Sequence, residues 1–387
     1  MIKKYTLFAI LILSMFFLQS CGEEELYIPV APTNLPVNVN LSEVPYQKLS
    51  QYNFFNGDLK NQKPSQNVLP YQPASSLFGD YSKKRRFVWM PKGTKATYKG
   101  DDNVFDFPVG AVLIKTFYYD NVQPNNTTKI IETRLLIRVE GNKSTPTLIN
   151  NIMVDVKSSG WKAYDYIWNE AQTDAILETT GNGVTVPISW LENGVSKSVN
   201  YKTPAQTECR TCHKINKEHV SFGELTIPIG PKPQNLNTVY NYNGTEQNQI
   251  AKWKSIGYLG DDISLTINSS VNYTDTGKSL ELRARSYIDI NCAHCHRDGG
   301  HCDYTAMRFN FSNTNLTTFG VCMVPSATVP GGPFVINGGN ADQSELIIRL
   351  GSNEGSLMMP LIGRNLVHDE GLKLMKDWIN TLPQNCR

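Results

Sequence analysis

The pattern of hydrophobic and polar positions in residues 46–205 predicts strands. β-Branched and aromatic residues form short runs, and clusters of Gly, Asn, Asp and Pro bound these runs, as strands require. No long stretch of this region shows the period of an amphipathic helix. We therefore expect a β-rich N-terminal domain. The runs that carry the prediction are Phe87–Met90, Val112–Tyr119 and Ile130–Val139.

The pattern changes after Pro204, where apolar residues recur at helical spacing. Residues 245–256 and 278–288 each place their apolar side chains on one stripe. A further amphipathic segment, residues 369–382, is stopped by Pro383. The predicted fold class is therefore multidomain, with the β-rich N-terminal domain followed by mainly α-helical modules.

The N-terminus predicts export and a lipid anchor. Two lysines precede the apolar run Leu7–Leu18, which is typical of a secretory signal and too short for a comfortable membrane span. The Leu-Gln-Ser-Cys sequence at residues 18–21 resembles the bacterial lipobox, so we expect cleavage before Cys21 and lipid on its thiol. The alternative is an ordinary signal peptide with an incidental cysteine. Residues 21–45 are rich in Pro, Asn and Val, which predicts a flexible tether.

The net charge and the length of the chain limit which classes of function are compatible with it. The formal net charge is only +2 over 387 residues, so nothing indicates a nucleic-acid partner. The chain that remains after a signal peptide is long enough for two or three domains. The sequence contains no phosphate-binding loop and no arrangement typical of a hydrolase triad.

Two Cys-x-x-Cys-His motifs, residues 209–213 and 292–296, carry the strongest chemical signal. This pentapeptide is the attachment signature of c-type haem, in which the cysteines bond to the vinyl groups and the histidine binds the iron. A zinc site or a redox cysteine pair is the alternative, but neither needs a histidine after both pairs. We expect two covalently bound haem c groups. The predicted attachment residues are Cys209, Cys212, Cys292 and Cys295, and the predicted proximal ligands are His213 and His296.

The sequence indicates a distal iron ligand more clearly for the second haem than for the first. Met359 precedes Pro360 and lies between the last two predicted helices, the position from which c-type cytochromes supply a thioether sulfur. We predict Met359 as the distal ligand of the second haem, with Met358 as the alternate. The competing interpretation is that both are core methionines. For the first haem the open alternatives are His219, Met90, Met153, a residue of the second haem domain, or no ligand.

Three cysteines remain after lipid and haem are assigned. They are Cys302, Cys322 and Cys386. Outside the cytoplasm two of them are expected to form a disulfide. The sequence leaves all three pairings open.

The chain resembles a family of uncharacterised bacterial two-haem c-type cytochrome lipoproteins, often encoded beside parallel β-helix repeat proteins. The likeness extends from about Phe87 to Ile379, and the two haem motifs are its specific part. The resemblance implies haem and an extracytoplasmic location but no substrate, because the family's activity is unassigned. Its other shared segments are Phe107–Gly110, Lys115–Phe117, Trp168–Glu170, Gln172–Ala175, Leu236-Asn237, Met359-Pro360 and Trp378-Ile379.

Together these features predict an electron carrier. The protein would pass electrons between a redox enzyme and a membrane acceptor. A lipid would anchor it to the bacterial outer membrane, where it would face the periplasm or the cell surface. The alternatives are a two-haem peroxidase-type enzyme with one open iron, and a β-domain binding module with attached redox haems. The predicted segments are a signal peptide (1–20), the tether (21–45), the β-rich domain (46–205), a first haem module (206–275) and a second, cytochrome c-like haem domain (276–387).

Overall fold

A computed structural model of the protein describes residues 35–149, 152–216, 224–264, 266–384 and 386. The signal peptide, Cys21 and most of the predicted tether lie outside these residues, and so does His219. The side chains of residues 141–159, which include Met153, also lie outside the description. Within the part of the chain that is described, no helix is both long enough and apolar enough to cross a membrane.

Strands dominate the first half of the described chain and recur after it. Most belong to one antiparallel sheet with the order β10-β9-β5-β6-β7-β8, in which β4 also pairs with β5 and β3 with β4. Their bounds are β1 Phe55–Asn56, β2 Lys63–Pro64, β3 Leu69–Pro70, β4 Lys83–Trp89, β5 Val112–Val122, β6 Thr127–Ile149, β7 Ile152–Trp168, β8 Ala175–Leu177, β9 Thr185–Glu192, β10 Val195–Lys202, β11 Lys214–Asn216, β12 Glu224–Thr226, β13 Val239–Tyr242 and β14 Thr245–Asn248.

The α-helices of the described residues are short. Only two of them exceed eight residues. Single 3₁₀ turns lie at Leu49–Tyr52, Leu59–Asn61 and Ala341–Gln343. The α-helices are α1 Gln206–His213, α2 Pro233–Leu236, α3 Gln249–Ser255, α4 Leu280–Cys292, α5 Glu345–Leu350 and α6 Asp369–Thr381.

The predicted fold class is therefore wrong in its second part. The described residues hold more strand than helix, 27% against 19%, so the chain does not continue into mainly α-helical c-type cytochrome modules. Residues 245–256 show why: their first four residues pair as β14 with β13, and only the remainder forms α3. Residues 293–340 are rich in Gly, Asn, Thr and Pro, which favour turns over helix, and loops fill this stretch.

Alternation along the strands sorts the side chains of the sheet onto two faces. On one face Phe87, Ile114 and Leu135 pack with Tyr52 and Phe54 of the N-terminal segment. Val37, Val39 and Val44, at the end of the predicted tether, are partly buried against this same core. We refer to the opposite face, which carries Val88, Leu113 and Leu136, as the inner face.

The inner face supports the segment that contains the first motif. Leu236, Ile250 and the fully buried Trp253 share one core with Val88 and Leu113. The described part of residues 206–275 thus buries apolar side chains against the sheet, because its three short helices provide too little apolar surface for a core of their own.

The C-terminal helices form a separate core. Trp378 and Met375 of α6 pack against Tyr287 and Ile288 of α4 and against residues of α5. Ser279 caps α4, since its side chain accepts a hydrogen bond from the Leu282 amide. Cys322 and Cys386 form a disulfide across this region, and Cys302 is a free, buried thiol.

Candidate functional site

The two Cys-x-x-Cys-His motifs meet in the folded chain. The first occupies the end of α1, and the second begins at the last residue of α4. Ligand atoms of Cys212, His294 and Cys295 all lie within 4.8 Å of one another. The Cys295 thiol also donates to the Thr211 carbonyl at 3.5 Å. Residues far apart in sequence are therefore in direct contact.

A cavity of about 150 Å³ lies over the second motif. Cys292, Cys295 and His296 line it, and Met359 lines it as well. The remaining walls are mostly apolar and include Met307, Phe309, Leu346 and Leu350. The structure thus brings together all four residues that the sequence assigned to the second haem.

The His296 ring is held in the form that binds a metal. Burial lowers the pKa of His296 to about 4, so the imidazole is neutral. Its ring lies against Phe309, with the centroids 5.0 Å apart. Its Nδ1 is buried and has no hydrogen-bond partner among the described residues.

Arg364 organises the loop that carries Met359. Its guanidinium is buried and donates to the Met359 carbonyl at 2.9 and 3.2 Å. It also donates to the carbonyls of Arg349 and Ser352, at 3.2 and 2.7 Å. This role could not be predicted, because no sequence motif marks an arginine that binds loop carbonyls.

A larger cavity, about 530 Å³, lies between the inner face of the sheet and the first motif. Cys209, Cys212 and His213 line it. The Nδ1–H of His213 donates to the Ile227 carbonyl at 2.7 Å, and burial lowers the pKa of His213 to about 4. This bond orients a neutral ring and leaves Nε2 for a metal, the usual arrangement of a ligating histidine.

The structure changes the set of candidate distal ligands for the first haem. Met90 is buried in the core around Trp253 and is not among the residues that line either cavity. Met358 and His368 line the larger cavity. His368 stacks on a phenylalanine ring, and its Nδ1 lies 3.0 Å from the Tyr287 hydroxyl. Both Met358 and His368 belong to the predicted second haem domain, which was one of the open alternatives, but the sequence did not single out either of them for the first haem.

The residues present fit two c-type haems. His213 and His296 line different cavities, each is half-buried with a lowered pKa, and Met359 lines the same cavity as His296. The cavities share a wall that includes Cys212, Asn291 and His294. Groups bound in the two cavities would therefore be neighbours.

Comparisons with protein-family models, with curated proteins and with solved structures find no match to this chain. The interpretation of the site rests on its own residues and geometry.

Proposed function

We propose that the protein is an extracytoplasmic two-haem c-type cytochrome that carries electrons between a redox enzyme and a membrane acceptor. The observation that supports this most is that the final histidines of the two Cys-x-x-Cys-His motifs line two different cavities, each half-buried and with a pKa lowered to about 4. Cysteines 209, 212, 292 and 295 would hold the haems, and His213 and His296 would bind the irons. The haems, when bound, supply one-electron chemistry.

The chain's own residues would set how that chemistry proceeds. Apolar cavity walls exclude water, and burial and ligand identity are the means by which a protein adjusts a haem potential. The contact between Cys212 and Cys295 favours direct electron exchange between the two groups. A thioether from Met359 would give the second haem the higher potential.

A lipid anchor on Cys21 remains part of the proposal. The anchored chain would lie at the outer membrane, in the periplasm or on the cell surface, and would meet a redox partner protein there. Replacing Cys21 by serine should release the protein from membranes into the soluble extracytoplasmic fraction. Retention in the membrane fraction would contradict the anchor.

Haem attachment is tested by the intact mass of the chain after co-expression with a c-type maturation system. We expect two haem additions in the wild type, and one in each of the double variants Cys209→Ala/Cys212→Ala and Cys292→Ala/Cys295→Ala. Cys302→Ala is the matched control, because this nearby free thiol belongs to neither motif, and it should keep both additions. A wild-type chain without haem would refute the proposal.

The size of the larger cavity favours one enzymatic alternative. At about 530 Å³ against 150 Å³, it leaves more room beside its motif, as a peroxidase with one open iron requires. Carbon monoxide binding to the reduced protein separates the two functions. A carrier with six ligands on both irons binds none, whereas stoichiometric binding together with peroxide turnover would establish the enzyme.

The grouping of Cys212, His294 and Cys295 favours a different alternative, a single metal ion held between the motifs. Thiolate and imidazole are the ligands that zinc prefers. This ion and the two haems exclude each other, because both need the same thiols. One zinc per chain with no added mass would support the ion and contradict the haems.

A further inference from the structure

Three cations lie side by side across the inner face of the sheet. In the register of the strands, Arg86 of β4 is opposite Lys115 of β5, and Lys115 is opposite Arg134 of β6. All three line the larger cavity. Like charges directly opposite each other destabilise a sheet, so this row needs compensation.

Within the described part of the chain, only Arg134 among the three cations has a carboxylate partner. Arg134 binds Glu132 through two hydrogen bonds, at 2.5 and 2.9 Å, and Glu132 accepts a third from Tyr201 at 2.5 Å. Among the described residues, neither Arg86 nor Lys115 forms an ion pair or a hydrogen bond through its side chain. The Lys115 ammonium lies only over the Phe117 ring, 4.7 Å from its centroid.

The next carboxyl group in the row does not supply the missing negative charge. Asp165 of β7 is opposite Arg134, and its carboxyl group lies beside that of Glu132. Burial, and then the charge of Glu132, raise the pKa of Asp165 well above its usual value. A protonated Asp165 is neutral and leaves Arg86 and Lys115 uncompensated.

These two cations are enclosed. The Arg86 side chain is buried, at 6% exposure, and Lys115 lines the cavity. Burial, and then the charges of Arg86 and Arg134, lower the pKa of Lys115 well below its usual value, so the protonated amine is held at a cost in the empty site. An anion in the cavity would remove that cost, because a buried cation is stable only beside a partner. Carboxylates match the planar donors of arginine especially well.

The position of the three cations relative to the first motif indicates which carboxylate they bind. Burial raises the pKa of the Cys209 thiol, and Arg134 is close enough to oppose that rise. Arg86 lies two strands beyond Arg134, about 10 Å at the usual strand spacing. In a c-type haem the propionates lie on the opposite side of the porphyrin from the positions that bind cysteine.

We infer that Arg86 and Lys115 form a carboxylate site that binds the propionates of the first haem. The inference rests on the proposed function, since a chain without that haem has no propionates to offer. It assigns to the β-rich domain a direct part in holding the cofactor.

The test compares Lys115→Met in two preparations of the full chain, one haem-loaded and one produced without the attachment machinery. Without haem, the substitution removes a buried amine that lies beside two arginines and has no anionic partner among the described residues, so the urea midpoint should rise. With haem, it removes a partner of the propionates, so the midpoint should fall. Arg85→Gln is the matched control for Arg86→Gln, because Arg85 is adjacent on β4 but faces away, over the Tyr118 ring.

A second readout serves if the haem-free chain does not fold. Removing a cation beside the first haem favours its ferric form, so Lys115→Met and Arg86→Gln should lower that haem's potential. The potential of the second haem should not change. Unchanged potentials at both haems, or midpoint shifts of the same sign in both preparations, would overturn the inference while the two mass additions still stand.

Added succinate distinguishes haem propionates from a free carboxylate. It should raise the urea midpoint of the haem-free wild type, should not do so in Lys115→Met, and should have no effect on the haem-loaded chain. If succinate stabilises the haem-loaded chain equally, the occupant is a free anion and the inference is wrong. If the mass shows haem only on the second motif, the proposed function itself fails at the first.

Discussion

Replacing Asp289 by alanine should strongly destabilise the protein. The Lys232 ammonium lies 3.0 and 3.2 Å from the two carboxylate oxygens of Asp289. The exposed fractions of the two side chains are only 10% and 1%. Asp289 lies on α4, just before the second motif, and Lys232 lies in the segment that follows the first. The pair therefore joins the two halves of the site.

The loss of unfolding free energy follows from the groups that the substitution leaves without a partner. Removing one partner of a buried ion pair costs about 3–5 kcal/mol, because the other charge stays buried without compensation. The Phe311 amide, which donates to Asp289 at 3.1 Å, also loses its acceptor, at about 1 kcal/mol. Asp102 is close enough for its pKa to respond to Lys232, and it offsets part of the loss. We expect about 4 kcal/mol in total.

Equilibrium urea unfolding of the haem-loaded chain measures this loss as a fall in the midpoint on the order of 1 M. The double variant Lys232→Met/Asp289→Leu should recover most of it, because no charge is left buried. Asp377→Ala is the control, since its ion pair with Lys373 is exposed and should contribute less than about 1 kcal/mol. An Asp289→Ala effect as small as that of the control would refute the reasoning.

Three further predictions follow from other parts of the structure. Met359→His should lower the potential of the second haem and abolish the weak sulfur-to-iron absorption band of the ferric protein; an unchanged ferric spectrum would shift the assignment to Met358. Cys322→Ser/Cys386→Ser should cost about 4 kcal/mol of unfolding free energy in urea, because the disulfide spans 64 residues, and a loss near zero would contradict this pairing. Burial lowers the pKa of Lys84 to about 7, so its proton binds more tightly in the unfolded chain than in the folded one. The protonated amine therefore destabilises the fold, fully below pH 7 and progressively less as the pH rises towards 10. Lys84→Met should remove that part of the rise in stability between pH 7 and 10, measured by urea unfolding across this range; identical pH profiles would count against the burial of this amine.

Local sequence could indicate the strands and the residues of the cavity over the second motif. β5 begins at Val112, where the predicted run begins, because alternation and β-branched residues act over a few neighbours. Met359 is marked by the proline beside it, and the structure places it in the same cavity as His296. The prediction of mainly helical modules failed because the apolar spacing of residues 245–256 did not distinguish a strand of the β13–β14 hairpin from the start of α3.

The wall of the larger cavity could not be anticipated in the same way. Arg86, Lys115 and Arg134 lie far apart in sequence and become neighbours only through the register of three strands. His368 reaches the same cavity from the far end of the chain. The choice of Cys322–Cys386 over the other two pairings likewise depends on which cysteines the fold brings together.

The contact between the two motifs has a consequence for biogenesis. Cys212 and Cys295 are within thiol-exchange range in the folded chain, and Cys302 is buried nearby as a free thiol. In an oxidising compartment such neighbours form a disulfide, which would block one attachment position on each motif. If the motifs hold haem as proposed, haem addition has to finish before the sheet and the C-terminal helices bring the motifs together. The yield of haem-loaded protein would then depend on the rate of attachment relative to the rate of folding, and slower folding would favour the haem-loaded form.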